Sequence, residues 1–263
     1  MKEFFVSLSE LAEFNTLIEK ARNEKGTAHV VGVAETQKAH MITALLQKTG
    51  KRGVVISWNE SAARILAEEL SFFSDNVTHF PQGDFIEKIA ESTGYTLPRQ
   101  RAAALYNILS GSTAVMSVGT LLDYILPAKK YKKIMISVGD TLTNLPDILA
   151  EIGYVRVPMI EGPGQFSVRG GIVDLYPPTE EQPVRIELFD TEVDSIRVFD
   201  LISQQSTGNI KSLTIIPAAA DGEDGNILDY FEENVIFIID EPQRVSEGAA
   251  AYSESVQERI AVR

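Results

Sequence analysis

The strongest constraint on this chain is a pair of apolar runs, GVVIS (53–57) and TAVMSV (113–118), that offer no polar face to water. Such runs suit strands covered on both sides in a parallel sheet, because an antiparallel strand with one wet face alternates instead. Helical periodicities alternate with them. Residues 38–49 place Met41, Leu45 and Leu46 inward and stop at Gly50; two more helices run through ARILAEEL and RQRAAALYNILSG. AHVVGV (28–33) reads as a further buried strand. Before it, Leu11, Phe14, Leu17, Ile18 and Ala21 recur with helical spacing, Ser7 and Glu10 stand at capping-box distance, and Gly26 supplies a stop. Strands alternating with helices predict a parallel sheet covered by helices.

The pattern changes after about residue 127. AKKYKK leads into KIMISV, then a helix around 141–152 ended by Gly153. QFSVRGGIVDLYPP folds two apolar runs about Gly170-Gly171, a turn signal. VRIELFD (184–190) alternates with Val184, Ile186 and Leu188 on one face, and DSIRVFD (194–200) follows after a short turn. These spacings predict an antiparallel meander. Near residue 212 the first texture returns, with SLTIIPA as a strand, NILDYF as a short helix and NVIFIID (234–240) as a buried strand. The expected organisation is one α/β domain, residues 1–127 and 206–263, interrupted by an α+β insertion over 128–205.

Composition narrows the function classes. The formal charge of −13 opposes non-specific DNA binding, which feeds on clustered positive charge. Lys129, Lys130, Lys132 and Lys133 form the one dense basic run and read as a solvated connection, with a DNA contact as the alternative. Arg99 and Arg101 read as surface residues flanking a helix start. The absence of cysteine excludes disulfides and thiolate metal sites, and His29, His40 and His79 lack metal-ligand spacing. No metal or cofactor is expected. No stretch approaches a membrane span and the first residues lack a signal-peptide apolar core, so a cytoplasmic location is expected.

Two places look like the remains of a P-loop ATPase. In GVAETQKA, Gly32 and Lys38 stand in the register of G-x-x-x-x-G-K-[ST], but Gln37 replaces the second glycine and Ala39 replaces the hydroxyl residue that would hold magnesium. In VIFIIDEP, Asp240 and Glu241 end an apolar strand where a motor ATPase keeps metal-binding and water-orienting carboxylates. Both follow strands expected to be buried, the position where open α/β sheets bind ligands. The pattern implies a P-loop, RecA-like fold with a degenerate nucleotide site. Lys38 as a solvated helix residue and Asp240 as a helix cap remain open.

The residues that carry a family resemblance are FSVRGGIVDLYPP and VRIELFDTEVDSIRVFD, within 166–200. They resemble the inserted domain shared by the excision-repair protein UvrB and the bacterial transcription-repair coupling factors. FPQGDFIEKIAES (80–92) and ILDYFEENVIFIIDEP (227–242) agree with that resemblance. UvrB is an active ATPase with an intact first motif, a DESH box and an aromatic-rich DNA-clamping hairpin. This sequence has Gln37, Ala39 and DEPQ, and no Tyr-rich hairpin, which is similar to the UvrB-like front module of the coupling factors.

That resemblance implies a non-catalytic module that binds UvrA and so draws repair to stalled RNA polymerase. The DNA motor and polymerase-gripping domain would lie further along a longer chain. A UvrB-like ATPase or a DNA-binding repair module is the alternative. For UvrA binding it implies Arg169, before the turn, and Arg156 in GYVRV, with Tyr176 as an apolar contact. Ser167 stands where UvrB has another arginine. Arg169 is also readable as a cross-strand partner of Glu187 or Asp174.

Overall fold

The computed structural model describes residues 8, 10–23, 26–83, 96–222, 224–231 and 234–261. Ser7 of the expected capping box and residues 84–92 of FPQGDFIEKIAES lie outside them. The chain divides into two compact units, one of residues 1–82, 107–123 and 230–263, the other of 83–106 and 124–229.

The first unit holds helices α1 (Ala12–Arg22), α2 (Glu35–Thr49), α3 (Glu60–Ser71) and strands β1 (Arg52–Ser57) and β2 (Val77–His79). The division between the units falls within α4 (Thr96–Leu109). Strand β3 (Thr113–Ser117) and helix α5 (Val118–Leu122) follow in the first unit. Its sheet has the order β12-β1-β3-β2, all pairs parallel, where β12 is Val235–Ile239. Val54, Val55, Ala114, Val115 and Met116 are fully buried, as their unbroken apolar runs require. Asn59 starts α3 by accepting from the Ala62 N–H.

Two expected buried strands turn out otherwise. AHVVGV (28–33) forms no strand and is largely exposed, with Val31 at 88%. A strand-like composition does not make a strand without a neighbour for its backbone, and no ladder includes these residues. NVIFIID does pair with β1, but β12 is an edge strand with Phe237 and Ile239 half exposed.

The second unit contains β4 (Ile134–Ser137), α6 (Leu145–Glu151), β5 (Val155–Arg156), β6 (Gln165–Arg169), β7 (Ile172–Leu175), β8 (Val184–Phe189), β9 (Glu192–Phe199), β10 (Ser206–Ile210) and β11 (Ser212–Ile215). The last helix of the chain, α7 (Pro242–Ala261), belongs to the first unit. Strands β5 to β10 make a six-stranded sheet, antiparallel except for the β5–β6 pair. β11 pairs antiparallel with β4 rather than entering the parallel sheet. Val173, Leu175, Val184, Ile186 and Ile196 point from the large sheet into a core shared with Leu145 and Leu149 of α6. The alternation in VRIELFD thus decides which face of β8 is buried.

Arg101 is the clearest departure from the sequence reading. It was expected at the surface and is 1% exposed, with Nε donating to Asp221 Oδ1 at 3.0 Å. A planar guanidinium tolerates burial where a carboxylate meets it. Arg99 is half-buried and donates to the carbonyls of Pro178 and Glu180. The four lysines of 129–133 are exposed; Lys132 pairs with Glu151 and Lys133 lies over the Tyr106 ring.

Candidate functional site

In the first unit, helix α2 and the end of β12 bring together residues about 200 positions apart. The Lys38 ammonium donates to Asp240 Oδ1 at 2.8 Å and to Glu241 Oε1 at 2.8 Å, and Glu35 Oε2 also lies 2.8 Å away. Asp240 and Lys38 are buried, while Glu35 and Glu241 are exposed. Burial pulls the Lys38 pKa down; its bonds to Asp240, Glu241 and Glu35 outweigh that and hold it above the usual lysine range. Glu241 is lowered by its hydrogen bond to Lys38 and by that group's charge.

Local geometry explains the meeting. The Asp240 N–H donates to the Ile56 carbonyl, so β12 is still held to β1 where the carboxylate emerges. Glu241 has φ 54, left-handed backbone in the residue before Pro242, which starts α7. Gly248 lets α7 approach β1: a Cβ there would lie 2.3 Å from the Trp58 carbonyl oxygen. Arg244 of α7 sits 3.7 Å from the Trp58 ring centre.

The P-loop-like residues lead directly into α2. Gly32 has φ 78, but α2 already begins at Glu35 and the Gln37 N–H donates to the Ala34 carbonyl. Ala39 is buried in the apolar contact between α2 and the sheet. Among the described residues no group of three or more His, Asp or Glu is placed to hold a metal ion, and no helix is long and apolar enough to cross a membrane.

In the second unit, Arg156 lies on β5 and Arg169 at the end of β6; both are exposed. Among the described residues, the Arg169 guanidinium reaches only the Pro158 carbonyl, at 3.4 Å, and Arg156 has no hydrogen bond or ion pair. The acids considered as partners for Arg169 are taken. Arg185 forks onto Asp174 at 2.7 and 2.9 Å, and Arg197 and Ser195 both donate to Glu187. Tyr176 is 9% exposed in a small cluster with Ile160 and Phe199, its hydroxyl donating to the Glu181 carbonyl at 2.6 Å.

Residues 134–220, which include all but the first helix turns and connections of this sheet unit, match the family described as the UvrB interaction domain. The chain carries a UvrB interaction domain. It is 31% identical over 219 residues to the transcription-repair-coupling factor of Bacillus subtilis, an alignment covering 80% of this chain and 19% of that protein. Coupling factors of Staphylococcus haemolyticus (31% over 198 residues; 72% and 17% covered) and Myxococcus xanthus (28% over 202; 71% and 17%) are similar in the same way. The chain thus spans about a fifth of the length of the curated relatives it matches.

On the face of the sheet opposite its main core, Ile172, Arg185, Ser195 and Arg197 join Ser167, Arg169, Asp174 and Glu187, which the sequence already singles out. Ser167, Asp174, Arg185 and Arg197 stand on one cross-strand row, and Arg169, Ile172, Glu187 and Ser195 on the next. The available signal was the alternation of β8. If Val184, Ile186 and Leu188 face the core, then Arg185, Glu187 and Phe189 face away, and an aromatic on a polar face stands out.

Proposed function

We propose that this chain is a non-catalytic, UvrB-mimicking module that binds UvrA and thereby recruits excision repair to stalled RNA polymerase. The observation that carries the reading is the pair of exposed arginines, Arg156 and Arg169, on a UvrB interaction domain, neither with a carboxylate partner among the described residues. An exposed guanidinium with a free planar fork suits a carboxylate on a protein partner. Contacts with polymerase and DNA belong, in this reading, to the parts of the longer relatives that the chain does not span.

The first unit supports the non-catalytic half of the proposal. The groups corresponding to a phosphate-binding lysine and a metal-binding carboxylate neutralise each other, with Glu241 and Glu35 added. Gln37 and Ala39 supply neither a loop nor a hydroxyl. We read the site as a degenerate nucleotide site within a RecA-like framework.

Isothermal titration calorimetry against UvrA tests the proposal. Binding at micromolar affinity or tighter is expected, weakened at least tenfold by Arg169→Glu. An intact UvrA that gives no heat and no co-elution with the wild-type chain would reject it.

A further inference from the structure

The apolar contact expected from Tyr176 is not at the surface, which leaves the docking face without its anchor unless another residue supplies it. Phe189 is 80% exposed at the end of β8, and Ile172 at the start of β7 is partly exposed. Both lie on the face that carries Arg169. Arg169 is paired with Ile172 across β6 and β7, Ile172 with Glu187 across β7 and β8, and Phe189 is two residues beyond Glu187 on the same strand. The Gly170-Gly171 turn makes this grouping possible. Gly170 has φ 59, and a Cβ on Gly171 would lie 2.6 Å from the Leu188 carbonyl oxygen, so the turn packs directly against the Leu188-Phe189 backbone. The Leu188 N–H donates to the Gly171 carbonyl at 2.7 Å and fixes that contact.

The charges around the patch state what would fit it. On one side stands Arg169, without a carboxylate partner among the described residues. On the other, the β8–β9 turn carries exposed Asp190 and Glu192. Glu187, between them, is already satisfied by Arg197 and Ser195. A phosphate-rich surface would be repelled at the turn, while a protein pocket can meet both charges. An exposed aromatic on the same face as an arginine is the kind of residue pair that anchors protein–protein contacts.

We propose that Phe189, with Ile172 beside it, is the apolar anchor of the docking face, and that it enters an apolar pocket on UvrA with an acidic group toward Arg169 and a basic group toward Asp190 and Glu192. The inference rests on the UvrA-binding reading above. Tyr176, on the same face as Ile172 but buried, then supports that face rather than touching the partner.

The test is calorimetric titration of UvrA with the full chain and with Phe189→Ala, Phe189→Asp, Phe189→Leu and Ile172→Ser, each checked by thermal melting. Phe189→Ala should weaken binding tenfold or more, Phe189→Asp should remove detectable binding, and Phe189→Leu should retain most of it. Because the ring is exposed, all three should melt within about a degree of wild type. Phe189→Ala binding as tightly as wild type, while Arg169→Glu binds weakly, would overturn the anchor and leave the UvrA reading standing. A wild-type chain that does not bind UvrA would overturn both.

Discussion

The Lys38 ammonium and the Asp240 carboxylate meet at 2.8 Å, joining the first turn of α2 to the end of β12. Both side chains are largely withdrawn from solvent, so each depends on the other for its charge to be tolerated. Lys38→Ala should therefore destabilise the chain by about 3 kcal/mol, because it leaves Asp240 buried without its counter-charge. Lys38→Ala with Asp240→Ala should cost less than the sum of the two single changes. Urea unfolding of the four proteins measures this as a double-mutant cycle, and strict additivity would mean that the pair is not coupled.

The same cluster sets an expectation for nucleotide. If the protein's own carboxylates occupy Lys38, ATP with magnesium has no free cation to meet and no hydroxyl to hold its metal. A fluorescent ATP analogue should give a flat titration to millimolar concentration. Saturable, magnesium-dependent binding lost in Lys38→Ala would show an open site instead.

The pH dependence follows from the sign of the shifts. Glu241 is lowered, so its contribution is present above the unfolded carboxylate value, about 4.3, and is lost as pH falls through the lower folded value. Lys38 is raised, so its contribution is complete below the unfolded lysine value, about 10.4, and fades only above it. Between these limits the cluster contributes fully. The melting temperature of wild type should fall more steeply from pH 5 to pH 3 than that of Lys38→Met, which has already lost the interaction. Parallel acid limbs for the two proteins would contradict the assignment.

How much of this was legible in advance depends on whether a pattern is local. GVVIS and TAVMSV declare themselves because burial on both faces is written into consecutive residues, and Val184, Ile186 and Leu188 declare a sheet face because the strand period is two. AHVVGV misled because strand formation needs a partner edge, which composition does not encode. Arg101 misled because its burial depends on Asp221, 120 residues away. The meeting of Lys38 with Asp240 was foreseeable only as a pair of motif positions; that Glu35 and Glu241 complete the cluster depends on the helix starting at Glu35 and on the φ 54 of Glu241. Arg156 and Arg169 could be named from the resemblance alone, whereas Phe189 needed its strand to be placed first.

Tyr154 provides a stability test independent of the site. It is 4% exposed, and its hydroxyl is buried without a hydrogen-bond partner among the described residues. Burial, followed by the nearby Tyr131 and Glu180, pushes its pKa far above the ordinary tyrosine value, so the phenol stays neutral. Tyr154→Phe removes the unsatisfied oxygen and keeps the ring in the core beside Phe166 and Leu149. Stability should be unchanged or rise by up to about 1 kcal/mol. A marked loss in urea unfolding would mean that the hydroxyl has a partner such as an ordered water.

Tyr176 separates support from contact. Its ring packs with Ile160 and Phe199, the Arg99 guanidinium lies 5.8 Å from the ring centre, and its hydroxyl donates to the Glu181 carbonyl. Tyr176→Phe keeps the packing and loses one hydrogen bond, so stability should fall by about 1 kcal/mol while UvrA affinity stays within twofold of wild type. Tyr176→Ala empties a buried ring site and should cost about 3 kcal/mol or more. Any loss of UvrA affinity in that variant should accompany the lowered melting temperature and recover on cooling. A Tyr176→Phe protein that melts like wild type yet binds UvrA tenfold more weakly would place the hydroxyl at the interface, in conflict with its bond to Glu181.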